Sequence, residues 1–216
     1  MRLSFLSSPF SLSAYATAPD IPTDKINMPS PQPPYASPFE AYAASKVHAL
    51  RASENFVVDN KPYFDIINIM PSFIIGANEL TTSITEMRTK GTNRHALTPI
   101  VGVKNPNANP GTTVFLDDVA KIEVLALDPK IPGGQNFLIS SGGLRGTTWN
   151  DSIDIVKRNF PEEVAKGVWP LDGDQPTKRT KVDSSRTEEV FGFKLADYET
   201  QVKSVVAHYL ELLNKA

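Results

Sequence analysis

The sequence contains no cysteine and only three histidines, His48, His95 and His208, scattered over 216 residues. A disulfide framework, a thiolate metal site and a cysteine nucleophile are therefore excluded, and dispersed imidazoles alone do not build a metal cage. Positive charge is not in excess: 22 Lys+Arg stand against 24 Asp+Glu, a formal net charge of -2. A nucleic-acid partner, which is held through phosphate neutralisation, is not expected. Long apolar runs are missing as well, and no stretch approaches the roughly 20 residues of a membrane span. Near the start, Ser4, Ser7, Ser8, Ser11 and Ser13 interrupt the apolar core that a secretory signal needs, so a cytoplasmic protein is expected. No glycine precedes Gly76.

What remains is enough for a globular core, with 40% hydrophobic residues. Leu3 to Ser7 is an apolar-rich run of strand length, followed from Pro9 to Pro38 by eight prolines that predict a long surface loop. From Glu40 to Asp59 there is neither proline nor glycine, and Ala43, Val47, Leu50 and Val57 recur at helical spacing. Lys61-Pro62 ends that helix, and Phe64 to Met70 reads as a strand buried on both faces. Strand, helix and buried strand in this order predict a crossover between parallel strands.

The later signals are shorter. Gly91 to Ile100 is ambiguous between states. Val114 to Leu116 predicts a short strand running into a helix from Val119 to Leu127, with Asp117 or Asp118 as its cap. Asn136 to Ile139 is a further strand candidate, and Thr148 to Asp151 has nearly the spacing of a capping box, opening a helix with Trp149, Ile153, Val156 and Phe160 on one face. Lys166 to Thr180 is loop-like. Tyr198, Val202, Val205, Val206, Tyr209, Leu212 and Leu213 mark an amphipathic C-terminal helix.

Tyr42 and Lys46 carry the clearest chemical signal, because residues four apart share a helical face. A free tyrosine is a poor acid at neutral pH, and a neighbouring ammonium favours the phenolate. Such a phenol can deliver a proton to a carbonyl oxygen as hydride reaches the carbon. Alone, the pair is more often a core aromatic beside a solvated lysine. Its setting changes that reading: Phe5-Leu6-Ser7-Ser8 ends a strand before it, Met70-Pro71-Ser72-Phe73-Ile74-Ile75-Gly76 follows, and Phe115-Leu116-Asp117-Asp118-Val119-Ala120 and Asn159-Phe160-Pro161 come later. Val182 to Thr187 and Phe191-Gly192-Phe193 complete the series.

With these motifs in this order, the sequence resembles the extended short-chain dehydrogenase/reductase family. Within it the chain is most similar to the carbonyl-reductase group of dihydroflavonol, cinnamoyl-CoA and fungal ketone, aldehyde and methylglyoxal reductases. The resemblance implies an α/β fold: the C-terminal part of a Rossmann-type parallel sheet plus a smaller mixed substrate-binding lobe. Residues 1–76 would form a partial Rossmann domain with the catalytic helix, and 77–216 mainly the lobe, with 114–127 returning to the Rossmann part. Ser8 would hydrogen-bond the substrate carbonyl, with Ser7 its rival, and Tyr42 would be the general acid. Lys46 would favour the phenolate and bind the nicotinamide ribose. Pro71, Ser72 and the backbone through Phe73 and Ile74 would border the nicotinamide, and Thr92 would contact the cofactor.

The implied reaction is NADPH-dependent, with NADH second, on a small-molecule aldehyde or ketone, without nucleic acid or membrane as partner. Two features depart from the family. Val114-Phe115-Leu116-Asp117-Asp118 lacks the histidine of the family's Val-His-Val-Asp-Asp. The glycine-rich turn that receives a dinucleotide pyrophosphate is missing, and the family places it before the position of Met1. A catalytically silent fragment, either an incomplete gene model or a protein that keeps the fold for binding or regulation, is therefore the alternative. The nucleotide-sugar epimerases and dehydratases use the same trio, but their phosphate-binding arginines are not apparent. Ser141 to Gly146 looks like a phosphate loop yet fails the Gly-x-Gly spacing, and reads as a glycine turn.

Overall fold

The computed structural model describes residues 2–6, as backbone, and 32–215. Strand β1 (Arg2–Leu6) is followed by helix α1 (Pro38–Asn60), strand β2 (Asp65–Pro71) and the short strand β3 (Phe73–Ile75). Helices α2 (Ile84–Thr89) and α3 (Asn93–Ile100), strands β4 (Asn109–Pro110) and β5 (Thr113–Phe115), helix α4 (Leu116–Leu125) and strand β6 (Gln135–Ile139) come next. A 3₁₀ turn spans Gly143–Arg145, and α5 (Asp151–Asn159), α6 (Pro161–Ala165), β7 (Thr177–Lys178), α7 (Ser185–Phe191) and α8 (Tyr198–Asn214) complete the described chain. The ambiguous stretch after Gly91 is thus the helix α3.

The main sheet runs β1-β2-β6, all parallel, with Leu3 opposite Ile66 and Ile69 opposite Phe137. This is the expected α/β architecture with its crossover through α1. Both faces of β2 are covered, as its unbroken apolar run requires. On one face Met70 and Leu138 meet Leu50 of α1. On the other, Ile67, Ile69, Phe137 and Ile139 pack against Val119 and Ile122 of α4 and Phe191 of α7. Residues 135–139 therefore lie in the sheet itself, beside β2, while β5 pairs with β3 outside it and α4 packs on its face.

At Ser72 the chain leaves this sheet. Pro71 still pairs with Ile139, and two residues later Phe73 pairs with Thr113 in a second parallel pair, β3-β5. From here Phe73 and Ile75 enter a separate core with Trp149, Val156, Val202, Val205 and Tyr209. Helix α8 buries the expected Val202, Val205, Val206, Tyr209 and Leu212, but Leu213 is exposed, one position off the stripe.

Two capping expectations fail. Helix α4 begins at Leu116 with Phe115 at its N-cap and no side-chain cap bond, so Asp117 and Asp118 lie inside its first turn. There they favour the helix dipole, and the Asp118 carboxylate accepts from the Ala196 amide at 2.7 Å. Burial raises the Asp118 carboxyl above its usual range, partly offset by that bond. Helix α5 starts after Asn150 rather than Thr148. Asn150 turns its amide away, to Asp174 and to the Gln175 amide, so the long-range clasp displaces the local box. On the α5 face Val156 is buried but Ile153 only half so, and Ile155 is buried instead.

Candidate active site

Helix α1 presents Tyr42 and Lys46. Its start is fixed by Ser37, whose Oγ accepts from the Glu40 amide at 3.2 Å, and by Pro38 in the first turn, where a missing N–H costs nothing. Ala43, Ala44, Val47 and Leu50 are the buried face. Tyr42 lies off that face and is 45% exposed, so it is not a core aromatic. One turn on, Lys46 places its Nζ 5.4 Å from the Tyr42 ring centroid. That contact puts a cation against the ring whose phenolate the proposed chemistry would generate. Ser8 and its rival Ser7 lie outside the described residues, as does most of the proline-rich segment.

The second group of candidates sits where the chain passes from one sheet to the other. Pro71 is buried at the end of β2. Ser72 donates its amide to Ile139 at 2.9 Å, while its Oγ is buried without a hydrogen-bond partner. The Phe73 amide goes to the Thr112 carbonyl, and its ring turns inward against His95 and Trp149, so only its backbone remains near the strand end. Ile74 and Thr92 are brought together: the Thr92 hydroxyl donates to the Ile74 carbonyl. With its proton used there, Thr92 offers only lone pairs to a neighbouring group.

Ile74 and Thr92 also line a cavity of about 370 Å³, together with Gly76, Lys90, Asn93 and Leu116. Tyr42, Lys46, Pro71, Ser72 and Phe73 are not among its lining residues. Sequence reasoning missed Asn93, whose amide clasps Gly76 on both sides, accepting from its N–H at 3.1 Å and donating to its carbonyl at 2.7 Å. The only local signal was an Asn at a helix start. A Cβ on residue 76 would fall 2.7 Å from the Leu116 Cβ, so glycine permits the close approach of β3 to α4. At the rim Lys90 pairs with Glu86 at 3.0 Å and holds that carboxyl below its usual range.

At the end of β3 the structure thus offers a cavity beside Ile74 and an acceptor hydroxyl at Thr92, with the buried Ser72 hydroxyl outside that lining. They do not supply a pyrophosphate cradle. The Ser141 to Gly146 turn closes on itself, with the Gly146 amide bonded to the Gly142 and Gly143 carbonyls and the Thr147 amide to Gly111. Among the described residues no group of His, Asp or Glu is arranged for a metal. No helix of the described residues is long and apolar enough to cross a membrane.

The described main sheet is thus three parallel strands, and its crossover helix carries Tyr42 and Lys46 one turn apart. Comparison with known proteins places the chain further. No family model matches the chain. It is 42% identical over 204 residues to Ketoreductase CTB6 of Cercospora beticola, an alignment covering 93% of this chain and 57% of that protein. The Gre2 crystal structure from Candida albicans superposes with a TM-score of 0.78 at 23% identity, covering 98% of this chain and 65% of that one. Yeast methylglyoxal/isovaleraldehyde reductase Gre2, solved with NADPH, gives 0.75 at 19% identity, covering 100% and 65%. Other relatives are named as ketoreductases or NAD-dependent epimerase/dehydratases. The chain is thus similar to ketoreductases and shares the Rossmann-type fold of the Gre2 structures, and it spans little more than half the length of the curated relatives it matches.

Proposed function

We propose that the protein carrying this chain is an NADPH-dependent reductase of a small aldehyde or ketone. The observation that supports this most is the Lys46 ammonium against the ring of an accessible Tyr42, in a chain whose relatives are ketoreductases. NADPH is preferred to NADH because the solved Gre2 structures carry it. Bound beside Pro71 and Ile74, a reduced nicotinamide would supply the hydride. Tyr42 gives its phenolic proton to the carbonyl oxygen, yielding the alcohol, and takes a proton back from solvent. Lys46 stabilises the phenolate between those steps and holds the nicotinamide ribose. Ser8 holds the carbonyl oxygen in line. Ser72, Phe73 and Ile74 border the nicotinamide, and Thr92 accepts a hydrogen bond from the cofactor.

The test is kinetic. Tyr42→Phe keeps the ring and removes the acid, so turnover should fall by about 10² or more. Lys46→Met should impair both turnover and NADPH affinity. Near-normal turnover by Tyr42→Phe would remove the tyrosine from the mechanism. The alternative reading is a catalytically silent binding or regulatory protein. It predicts no NADPH-dependent reduction and no saturable NADPH binding by the 216-residue chain.

A further inference from the structure

A second cavity, of about 430 Å³, shares no lining residue with the first. Three cations from three places in the chain line it: Arg88 from the end of α2, Arg94 from the start of α3 and Lys104 from the following loop. No carboxylate is among its lining residues, and among the described residues none of the three cations forms an ion pair, whereas Lys90, Arg158 and Lys194 do. Converging like charges repel, and a concave wall concentrates their field. In a chain of net charge -2 this is a local arrangement, not a general excess of base.

The neutral donors around it are already spent. The Thr98 hydroxyl donates to the Arg94 carbonyl and the Asn105 amide to Gln175. At the floor, His95 is buried, with Nδ1 at 3.1 Å from the Asn109 amide nitrogen, so that nitrogen accepts. Burial, with Arg94 adding to it, pushes His95 down to about 4, and it is uncharged at neutral pH. The donors left over at the cavity are guanidinium and ammonium, with one Arg94 N–H already given to the Thr89 carbonyl at 3.3 Å. Planar guanidinium forks match phosphate oxygens two at a time, and an ammonium adds a point charge.

We infer that the Arg88–Arg94–Lys104 cavity is a binding site for a small phosphorylated anion of at least two charges. This inference is independent of the reductase reading, since none of its residues belongs to the proposed catalytic or nicotinamide set. Inorganic pyrophosphate is the probe, titrated into the protein at low ionic strength and followed by calorimetry and by thermal melting. Binding should be sub-millimolar and raise the melting temperature. Each of Arg88→Gln and Arg94→Gln should weaken it roughly tenfold, the worth of one charge-assisted hydrogen bond. The triple variant with Lys104→Gln should abolish it. A charge-matched triple at exposed Lys130, Arg179 and Lys203 should leave it intact, and melting of the free variants reports whether they fold.

A parallel titration with a nucleoside diphosphate separates the sources. Affinity matching pyrophosphate assigns recognition to the phosphates alone, and affinity tenfold or more higher assigns the site to a nucleotide; both support it. No saturable binding of either probe, or equal loss in the two triple variants, would overturn the inference.

Discussion

The Thr92 hydroxyl is bonded to the Ile74 carbonyl, joining two cleft residues 18 apart in sequence. The bond fixes the start of α3 against the end of β3 and decides what Thr92 can offer a ligand. Thr92→Val removes it and leaves the Ile74 carbonyl short of a donor, so stability should fall by about 1 kcal/mol. Thr92→Ser should restore it. Denaturant midpoints of the three proteins check this, and equal midpoints for Val and Thr would show that the bond contributes nothing.

Gly76→Ala tests the packing of β3 on α4. The new methyl would meet the Leu116 Cβ at 2.7 Å, backed by a helix that cannot simply swing aside. Overpacking of this kind costs about 1–3 kcal/mol. A variant as stable as the parent would mean that α4 is seated more loosely than the structure has it.

Trp149 is fully buried between Phe73, His95 and Tyr198, and its Nε1–H donates to the Pro110 carbonyl at 3.1 Å. Trp149→Ala should cost about 3–5 kcal/mol through the cavity it leaves. Trp149→Phe keeps most of the packing but strands the carbonyl, and should cost about 1–3 kcal/mol. Thermal or urea unfolding separates the two, and the reverse order would contradict the packing role.

His95 gives the protein a pH dependence. Its folded pKa is about 4, below the ordinary 6.5. Above about pH 6.5 both states hold it neutral and nothing is lost. Between 6.5 and 4 the unfolded chain takes up a proton that the folded one refuses. Stability therefore falls as pH falls through that window, by up to about 3 kcal/mol. His95→Gln should flatten this part of the profile, measured by urea unfolding between about pH 4.5 and 7. An unchanged slope would place the titration on another group.

The elements that sequence made legible are those with long, uninterrupted periodicity. Ala43, Val47 and Leu50 face the sheet as their spacing predicts, and the apolar run of β2 is buried on both sides. The Tyr42–Lys46 pair was readable because four residues on a helix is a fixed geometry. Illegible were features made by distant partners. Asp117 and Asp118 look like caps in isolation, yet Ala196, 78 residues away from Asp118, claims one of them. The burial of His95 is invisible in sequence, because it comes from Asn109, Phe73 and Trp149 rather than from the adjacent Arg94. The Asn93 clasp on Gly76 needs the folded turn between them before it exists.

The passage from β2 to β3 at Ser72 is stitched by three backbone bonds: Ser72 to Ile139, Phe73 to Thr112 and Ser141 to Thr113. They span both sheets and lie within a few residues of one another. The two halves of the molecule therefore cannot hinge at this point without breaking all three at once. On the side of α2 and α3 the strands are joined differently, by the hydrogen bonds of Thr92 on Ile74 and Asn93 on Gly76 and by Met87, Ala96, Leu97 and Ile100 buried with Phe73 and Ile75. The seam therefore acts as a fixed axle between the two sheets.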